Sequence, residues 1–409
     1  MTVRSRWPEA ADFSPPPGSA ERADWQEADE AARPDRVRRL RERLAPAGVD
    51  AFFGLRVETS RYLTGFALGD GEDRVAGNSG QVIVGREEVV LLADSRYEIQ
   101  AAREAPDTRL ATVYGDLPAR WPELCRSVGA RRVAVEAAAI PKAVWDRIAL
   151  AAPDVELVPV EGWVEADRAT KEPAEIERIA ASCAIADRAL ATLLPEIRPG
   201  VSELDLALRL EWLIRTGGAD GLAFDVACLS GPKAALPHGS PGDRPVAEGG
   251  VLLFDFGARV EGYRSDMTRT LFVGEPSARD LAIYELVEAA QDAAIATLEE
   301  AVRAGERPLP TGPAIDAVAR DVIAAAGHGG HFGHGTGHGI GLATHEDPRL
   351  SRTGLDVPLP SPTVFSIEPG VYLAGETGVR IEDLMLLDAA AGRVERLTQF
   401  PREPLVVGG

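Results

Sequence analysis

The 409-residue chain is poor in cysteine, has no long apolar run and is short of positive charge, and each shortage excludes a class of protein. Its three cysteines, Cys125, Cys183 and Cys228, are widely spaced and include no Cys-x-x-Cys pair. Neither a disulfide framework nor a thiolate zinc site is expected, and a reducing, cytoplasmic compartment fits. No stretch of roughly 18 apolar residues occurs. The segment MTVRSRWPEAADFSPPPGS is polar and proline-rich with no apolar h-region, so neither a membrane span nor secretion is expected. With 44 Lys and Arg against 64 Asp and Glu the formal net charge is -20. Such a field repels phosphate backbones and anionic lipid, so nucleic acid and membranes are not expected partners.

What is present reads as a folded enzyme of more than one domain. A content of 45% hydrophobic and 26% charged residues argues against a disordered chain, and the length exceeds what one core usually holds. Residues 1–33, with Pro15-Pro16-Pro17-Gly18 and many charges, read as a flexible tail. From Pro34 a charged helical pattern leads into the β-rich runs DAFFGL, QVIVG, VVLLAD and RRVAVEA, which suggests a small α/β domain over 34–160. Beyond Val160 the texture changes. EGWVEADRATKEPAEIERIAASCAIADRALATLLPEI reads as one long amphipathic helix opening a second domain, 161–409.

That second domain carries two hairpins bearing paired acids. VLLFDFGARVEGYRSDMTRTLFV folds about a turn near Glu261-Gly262, with Asp255 on one arm and Asp266 on the other, nearly symmetric about the turn. In an antiparallel pair such residues become neighbours on one face. TVFSIEPGVYLAGETGVRIEDLMLL repeats the arrangement with Glu368 and Glu382 about Gly375, and Arg380 shares the face of Glu382 by strand period. Acids are depleted in strands, so four of them in apolar arms call for a counter-cation. Between the hairpins, GHGGHFGHGTGHGIGLATHEDPRL supplies His331, His334, His338 and His345. Oxygen-rich donors with a few imidazoles suit manganese-like or other hard divalent ions. Four carboxylates are balanced by two such ions but not by one. A two-metal site acidifies a bridging water and clamps a carbonyl, so the chemistry implied is hydrolysis. No Gly-x-Ser-x-Gly elbow or His-Glu-x-x-His motif offers another route.

These residues resemble the pita-bread metallopeptidases, the family of aminopeptidase P, prolidase, methionine aminopeptidase and the non-metal relative creatinase. The resemblance runs from about Lys171 onward through SGPKAALPHG, FDFGARVEGYRSDMTRT, HGTGHGIGLATHEDPRLS, SIEPGVY and GVRIED, while RYLTGF in the smaller domain looks creatinase-like. It implies an α/β creatinase-like amino-terminal domain and an α+β pita-bread catalytic domain. It also implies that Asp255 chelates one ion, His338 and Glu368 the other, and that Asp266 and Glu382 bridge both. By the same resemblance His238 and His345 orient substrate, His334 lines the substrate site, Glu368 doubles as proton shuttle and Arg380 braces the bridging acids. Arg349 would meet a substrate's terminal carboxylate. His328 and His331 have no family role and read as loop residues. One departure is Gly249-Gly250, where many relatives have Gly-Asp; it lies outside the ligand set.

The implied substrate is a small peptide with proline at its second position. Proline makes that bond a tertiary amide and offers no N–H to a β-type cradle, so a dedicated enzyme is chemically reasonable. The resemblance implies two divalent ions per subunit, manganese first, with cobalt, iron or zinc as alternatives, and a homodimer. An Xaa-Pro dipeptidase is the preferred expectation and an aminopeptidase P acting on longer peptides the alternative. A metal-free binding module is the remote third, since every ligand position is filled.

Overall fold

The computed structural model describes residues 7–69 and 77–408 and divides into two units, Ala20–Arg168 and Met1–Ser19 with Ala169–Gly409. In the smaller unit the four apolar runs form β1 (Ala51–Gly54), β2 (Gln81–Val84), β3 (Val89–Ala93) and β5 (Arg132–Glu136). Two further strands, β4 (Arg109–Thr112) and β6 (Glu156–Val160), close the sheet in the order β4-β3-β2-β1-β5-β6. Lying at the edges and partly exposed, these two lack the apolar signature of the inner strands. The helices of this unit are α1 (Ser19–Leu44), α2 (Val57–Thr64), α3 (Glu98–Glu104), α4 (Leu117–Ser127), α5 (Lys142–Ala151) and α6 (Trp163–Ala169). Phe53, Trp121, Val133 and Ile148 fill the core between sheet and helices.

The expectation of a tail before Pro34 is corrected by the structure for residues 7–33; residues 1–6 lie outside the described residues. Helix α1 begins at Ser19 and runs through Pro34. Its buried stripe, Trp25, Asp29, Arg33, Arg36, Val37, Leu40 and Leu44, has helical spacing but a charged upper half. Arg36 ion-pairs with Asp29 at 2.8 Å, donates to Tyr62 O and lies over the Tyr62 ring. A paired charged stripe is invisible to a search for apolar periodicity. Residues 7–18 pack on the larger unit: Trp7 Nε1 donates to Val406 O, Arg188 donates to the carbonyls of Ala10 and Phe13, and the Phe13 ring stacks on Phe400 at 6.1 Å.

The boundary falls at 168/169 and not at 160, because α6 closes the smaller unit. The single long helix expected there is two, α6 and α7 (Pro173–Leu193). Pro173 cannot donate within a helix interior but suits a first position, and a capping box between Glu172 and Glu175 starts the new helix.

The larger unit continues with α8 (Glu203–Thr216), β7 (Gly221–Leu222), β8 (Ala227–Ser230), β9 (Val251–Phe256), β10 (Ala258–Val260), β11 (Tyr263–Arg264) and β12 (Met267–Val273). Then come α9 (Ala278–Arg303), α10 (Gly312–Ala325), β13 (Gly337–Gly339), β14 (Glu346–Leu350) and β15 (Thr363–Ile367). The last strands are β16 (Gly370–Leu373), β17 (Thr377–Arg380), β18 (Asp383–Asp388), β19 (Arg393–Arg396) and β20 (Val406–Val407). Two sheets dominate, ordered β20-β12-β9-β8 and β14-β13-β15-β18-β19. Val287, Ala290 and Leu298 of α9 bury with Leu253, Phe365, Met385 and Val379, so one core supports both sheets. Each of the larger of these buried side chains contributes about 1.5–3 kcal/mol. That core holds the opposite faces of these strands rigid for the site.

If residues 7–18 are a structural strap, Phe13→Ala should lower unfolding stability by about 1–2 kcal/mol through loss of a half-buried aromatic pair. Denaturant titration checks this, and an unchanged midpoint would return the segment to the status of a tail.

Candidate metal centre

Asp255 sits on β9, between β8 and β12, opposite Ala227 and Thr268. Glu261 and Gly262 take φ of 48° and 88°, as a two-residue type I′ hairpin loop requires. The register therefore runs Val260↔Tyr263 and Arg259↔Arg264, then Phe256↔Met267 and Asp255↔Thr268. Asp266 lies two residues before Thr268, on the same face and diagonal to Asp255. The two aspartates expected as neighbours on one face are therefore diagonal neighbours and not directly opposed. The hairpin is drawn tight where a Cβ on Gly257 would stand 1.9 Å from Ser265 O, a contact that only glycine permits.

The second hairpin places its acids face to face. Ile367 pairs with Asp383 and Gly370 with Arg380, so Glu368 and Glu382 are opposed in the gap between the two ladders. Arg380 grips Asp255 Oδ2, donates from Nη1 to Tyr372 Oη and from Nε to Thr268 Oγ1. Thr268 Oγ1 in turn donates to Glu382 Oε2 at 2.8 Å. Arg380 therefore holds Asp255 directly and reaches Glu382, one of the two acids it was expected to brace, through a threonine.

His338 projects from β13 beside a register irregularity between His338 and Gly339, a place where a bulge re-aims a side chain. Its Nδ1 lies 3.1 Å from Gly339 O, so the ring proton belongs there and Nε2 offers a lone pair. That lone pair faces Glu368 Oε1 at 3.3 Å and Asp266 Oδ2 at 3.7 Å. Ligand atoms of Asp266, His338 and Glu382 all fall within 4.8 Å of one another. Burial, reinforced by the neighbouring acids, pushes the carboxyls of Asp266 and Glu382 well above the carboxylate range. Burial raises Glu368 as well. The same desolvation lowers His338 and His334, keeping both imidazoles neutral.

The donor set fits divalent cations. Asp255 Oδ1, Asp266 Oδ1 and Glu382 Oε1 are buried and have no hydrogen-bond partner. A buried anionic oxygen without a partner is costly. Here three of them accompany a neutral imidazole lone pair, and Arg380 supplies the only guanidinium bound directly to one of the four acids among the described residues.

His238, Asp255, Asp266, His334, His338, His345, Arg349, Glu368, Arg380 and Glu382 all line one cavity of about 350 Å³. His238, His345 and Arg349 are exposed at its mouth, and His345 stacks near His338 with ring centroids 4.1 Å apart. Desolvation first, then the neighbouring His338 and Arg349, lower the His345 pKa to about 4. His328 and His331 contact each other and do not line the cavity. Tyr372 was missed by sequence reasoning. Its hydroxyl bonds both His334 Nε2 at 2.8 Å and Arg380, and burial pushes its pKa up to about 12. Its position in SIEPGVY, four residues from Glu368, was the available signal. Phe224, which no motif indicated, and Pro237, within SGPKAALPHG but given no role, add an apolar wall.

Paired acid hairpins around one imidazole define a carboxylate-rich metallohydrolase. Residues 177–389 match the metallopeptidase family M24, and residues 36–170 match the creatinase/prolidase N-terminal domain. The chain belongs to the M24 metallopeptidases, with the pita-bread fold of that family. It is 33% identical over 372 residues to the uncharacterized peptidase YqhT of Bacillus subtilis, covering 91% of this chain and 100% of that one. The solved Xaa-Pro dipeptidase from Bacillus anthracis is 32% identical with a TM-score of 0.82, covering 91% of this chain and 99% of that one. An X-Pro aminopeptidase from Thermotoga maritima is 33% identical with a TM-score of 0.79 over the same shares.

Divalent metal at ~100 times its dissociation constant should stabilise the wild-type chain by about 2.7 kcal/mol. Asp266→Asn and Glu382→Gln should each lose at least one ion and most of that gain. Metal counting and thermal melting measure this, and full occupancy in either variant would refute a bridging role.

Proposed function

We propose that this protein hydrolyses the Xaa-Pro bond of dipeptides at a centre of two divalent ions. The observation that carries this reading is the trio of partnerless buried oxygens on Asp255, Asp266 and Glu382 in one cavity with His338. Similarity to the Xaa-Pro dipeptidase from Bacillus anthracis supports the substrate class.

Asp255, Asp266, His338, Glu368 and Glu382 would hold the ions, with Asp266 and Glu382 shared between them. When bound, the ions supply a Lewis acid for the scissile carbonyl and lower the pKa of a water. The chain's own residues do the rest. Glu368, its carboxyl raised by burial, takes a proton from the attacking water and delivers it to the departing proline nitrogen. That nitrogen belongs to a tertiary amide and has no proton of its own, so leaving requires one. His238 and His345 face the carbonyl from the mouth and donate to its developing negative charge. Arg380 and Tyr372 fix Asp255 and His334, and Phe224 with Pro237 offers the ring an apolar surface.

Arg349, exposed at the mouth, meets the substrate's carboxylate and favours a dipeptide. The second reading is an aminopeptidase P, favoured by the similarity to the Thermotoga maritima X-Pro aminopeptidase. We include manganese as the resident ion, supported by the oxygen-rich donors, and a cytoplasmic location, supported by three free buried cysteines. No helix among the described residues is long and apolar enough to cross a membrane. A homodimer rests on the family resemblance alone.

Chelation should abolish turnover of an Xaa-Pro dipeptide, and manganese should restore it. Arg349→Ala should raise KM for the free dipeptide about tenfold or more, by loss of a charge-assisted contact, while leaving a carboxyl-amidated dipeptide unaffected. Faster turnover of an Xaa-Pro-Xaa tripeptide than of the dipeptide would select the aminopeptidase reading.

A further inference from the structure

Neither His238 nor His345 has a side-chain hydrogen-bond partner among the described residues. His345 meets the His338 ring on one side, yet both imidazoles are exposed, and Leu236, two residues before His238, is 53% exposed. Their places are set by the loops that bear them, and each loop is fastened by a lysine–glutamate pair that the hydrolytic chemistry does not use.

The first pair is Glu203–Lys233. Glu203 is fully buried in the first turn of α8, where a carboxylate is favoured by the helix dipole. It accepts from Ser230 N at 2.7 Å, Ser230 Oγ at 2.9 Å, Lys233 Nζ at 2.6 Å and Gly242 N at 3.2 Å. One carboxylate thus ties both ends of the 231–242 loop that carries His238. The helix start adds two backbone bonds to the same strand of chain, Glu203 N to Arg244 O and Leu204 N to Gly242 O. The turn inside the loop also abuts β17, where a Cβ on Gly378 would come 2.0 Å from Ala234 O.

The second pair is Lys171–Glu346, 2.8 Å apart with side chains 0% and 4% exposed. Glu346 follows His345 in the chain and also accepts from Ala343 N at 3.4 Å. Lys171 N donates to Pro362 O, which anchors the lysine, and Arg264 N donates to Gly341 O at the loop's other end. A buried pair of this kind contributes little net stability over an apolar replacement, so its retention needs a reason beyond stability.

We propose that these are positioning pairs, Glu203–Lys233 setting the place of the His238 imidazole and Lys171–Glu346 that of His345. The inference rests on the reading of both histidines as substrate-facing groups. Misplacement of such a group by about 1 Å can cost ~100-fold in rate. Glu203→Ala and Lys171→Ala should therefore each lower kcat/KM on the Xaa-Pro dipeptide by about 10- to 100-fold. Glu203→Gln, which keeps the Ser230 contacts, should lose less.

Double-variant cycles provide the decisive readout. Glu203→Ala should have no further effect in a His238→Ala background and its full effect in a His345→Ala background; Lys171→Ala should show the reverse. In the metal-free chain, amide hydrogen exchange should rise within 230–242 for the first variant and within 341–346 for the second. Losses that multiply in all four pairings, or exchange that rises throughout the larger unit, would overturn the proposal. Should either alanine variant not fold, Glu203→Gln and Lys171→Met carry the same cycles. Unaltered turnover by His238→Ala would instead overturn the catalytic reading of that imidazole, and the exchange arm would still decide the pair.

Discussion

The structure depends on holding four acidic side chains together in one cavity, where desolvation and mutual repulsion call for counter-cations. Two hairpins bring Asp255, Asp266, Glu368 and Glu382 to one cavity, with Arg380 as the cation bound among them. Adjacent residues show how local this is. Glu382 faces the other acids and its carboxyl is pushed upward by burial and by them, whereas Asp383 faces Arg269 at 2.6 Å and, against its burial, is held below the usual value. Strand alternation alone separates the two fates. Asp383 also accepts from Thr398 and Gln291, and Arg269 donates to Thr268 O, so a charge-paired network lies behind the acid cluster and fixes the same strands.

Around this centre the chain divides labour between acid and base. Asp255 comes from β9, and Asp266, Glu368 and Glu382 come from short gaps that adjoin strands packed on the core, so their backbone positions are held from both ends. The imidazoles come from β13 and from loops, with only His338 inside the acid cluster. His334 is tied through Tyr372 to Arg380, and hence to Asp255, so the cavity's histidine wall and its acid cluster share one hydrogen-bond chain. Asp316 and Arg320 on α10 support the intervening loop through Thr336, Phe332 and His334.

Much of the site was legible because acids in apolar strands are conspicuous and because hairpin symmetry turns sequence spacing into proximity. Glu368 and Glu382 follow that logic directly. Asp255 and Asp266 followed it with a shifted axis, since the position of a two-residue turn depends on which residues accept positive φ, and Glu261 does so as well as Gly262. Tyr372 and Thr268 were hidden because their roles come from partners on other strands. In the smaller unit the inner strands could be read and the edges could not. The part of helix α1 before Pro34 escaped because Asp29 is satisfied inside by Arg36, leaving a pattern that resembles a solvated face. The break between α6 and α7 was marked by Pro173, and the continuity of amphipathic spacing masked it.

The indole of Trp7 donates to a carbonyl 399 positions further along the chain. During synthesis on the ribosome, residues 7–18 emerge before any of the surface they will cover, and must wait while both units are made. Val406 is among the last described residues to leave the exit tunnel, so this strap closes only after translation has passed it. Until then the segment can meet only its earlier partner, Arg188, and the Phe13 ring lacks the Phe400 ring on which it stacks.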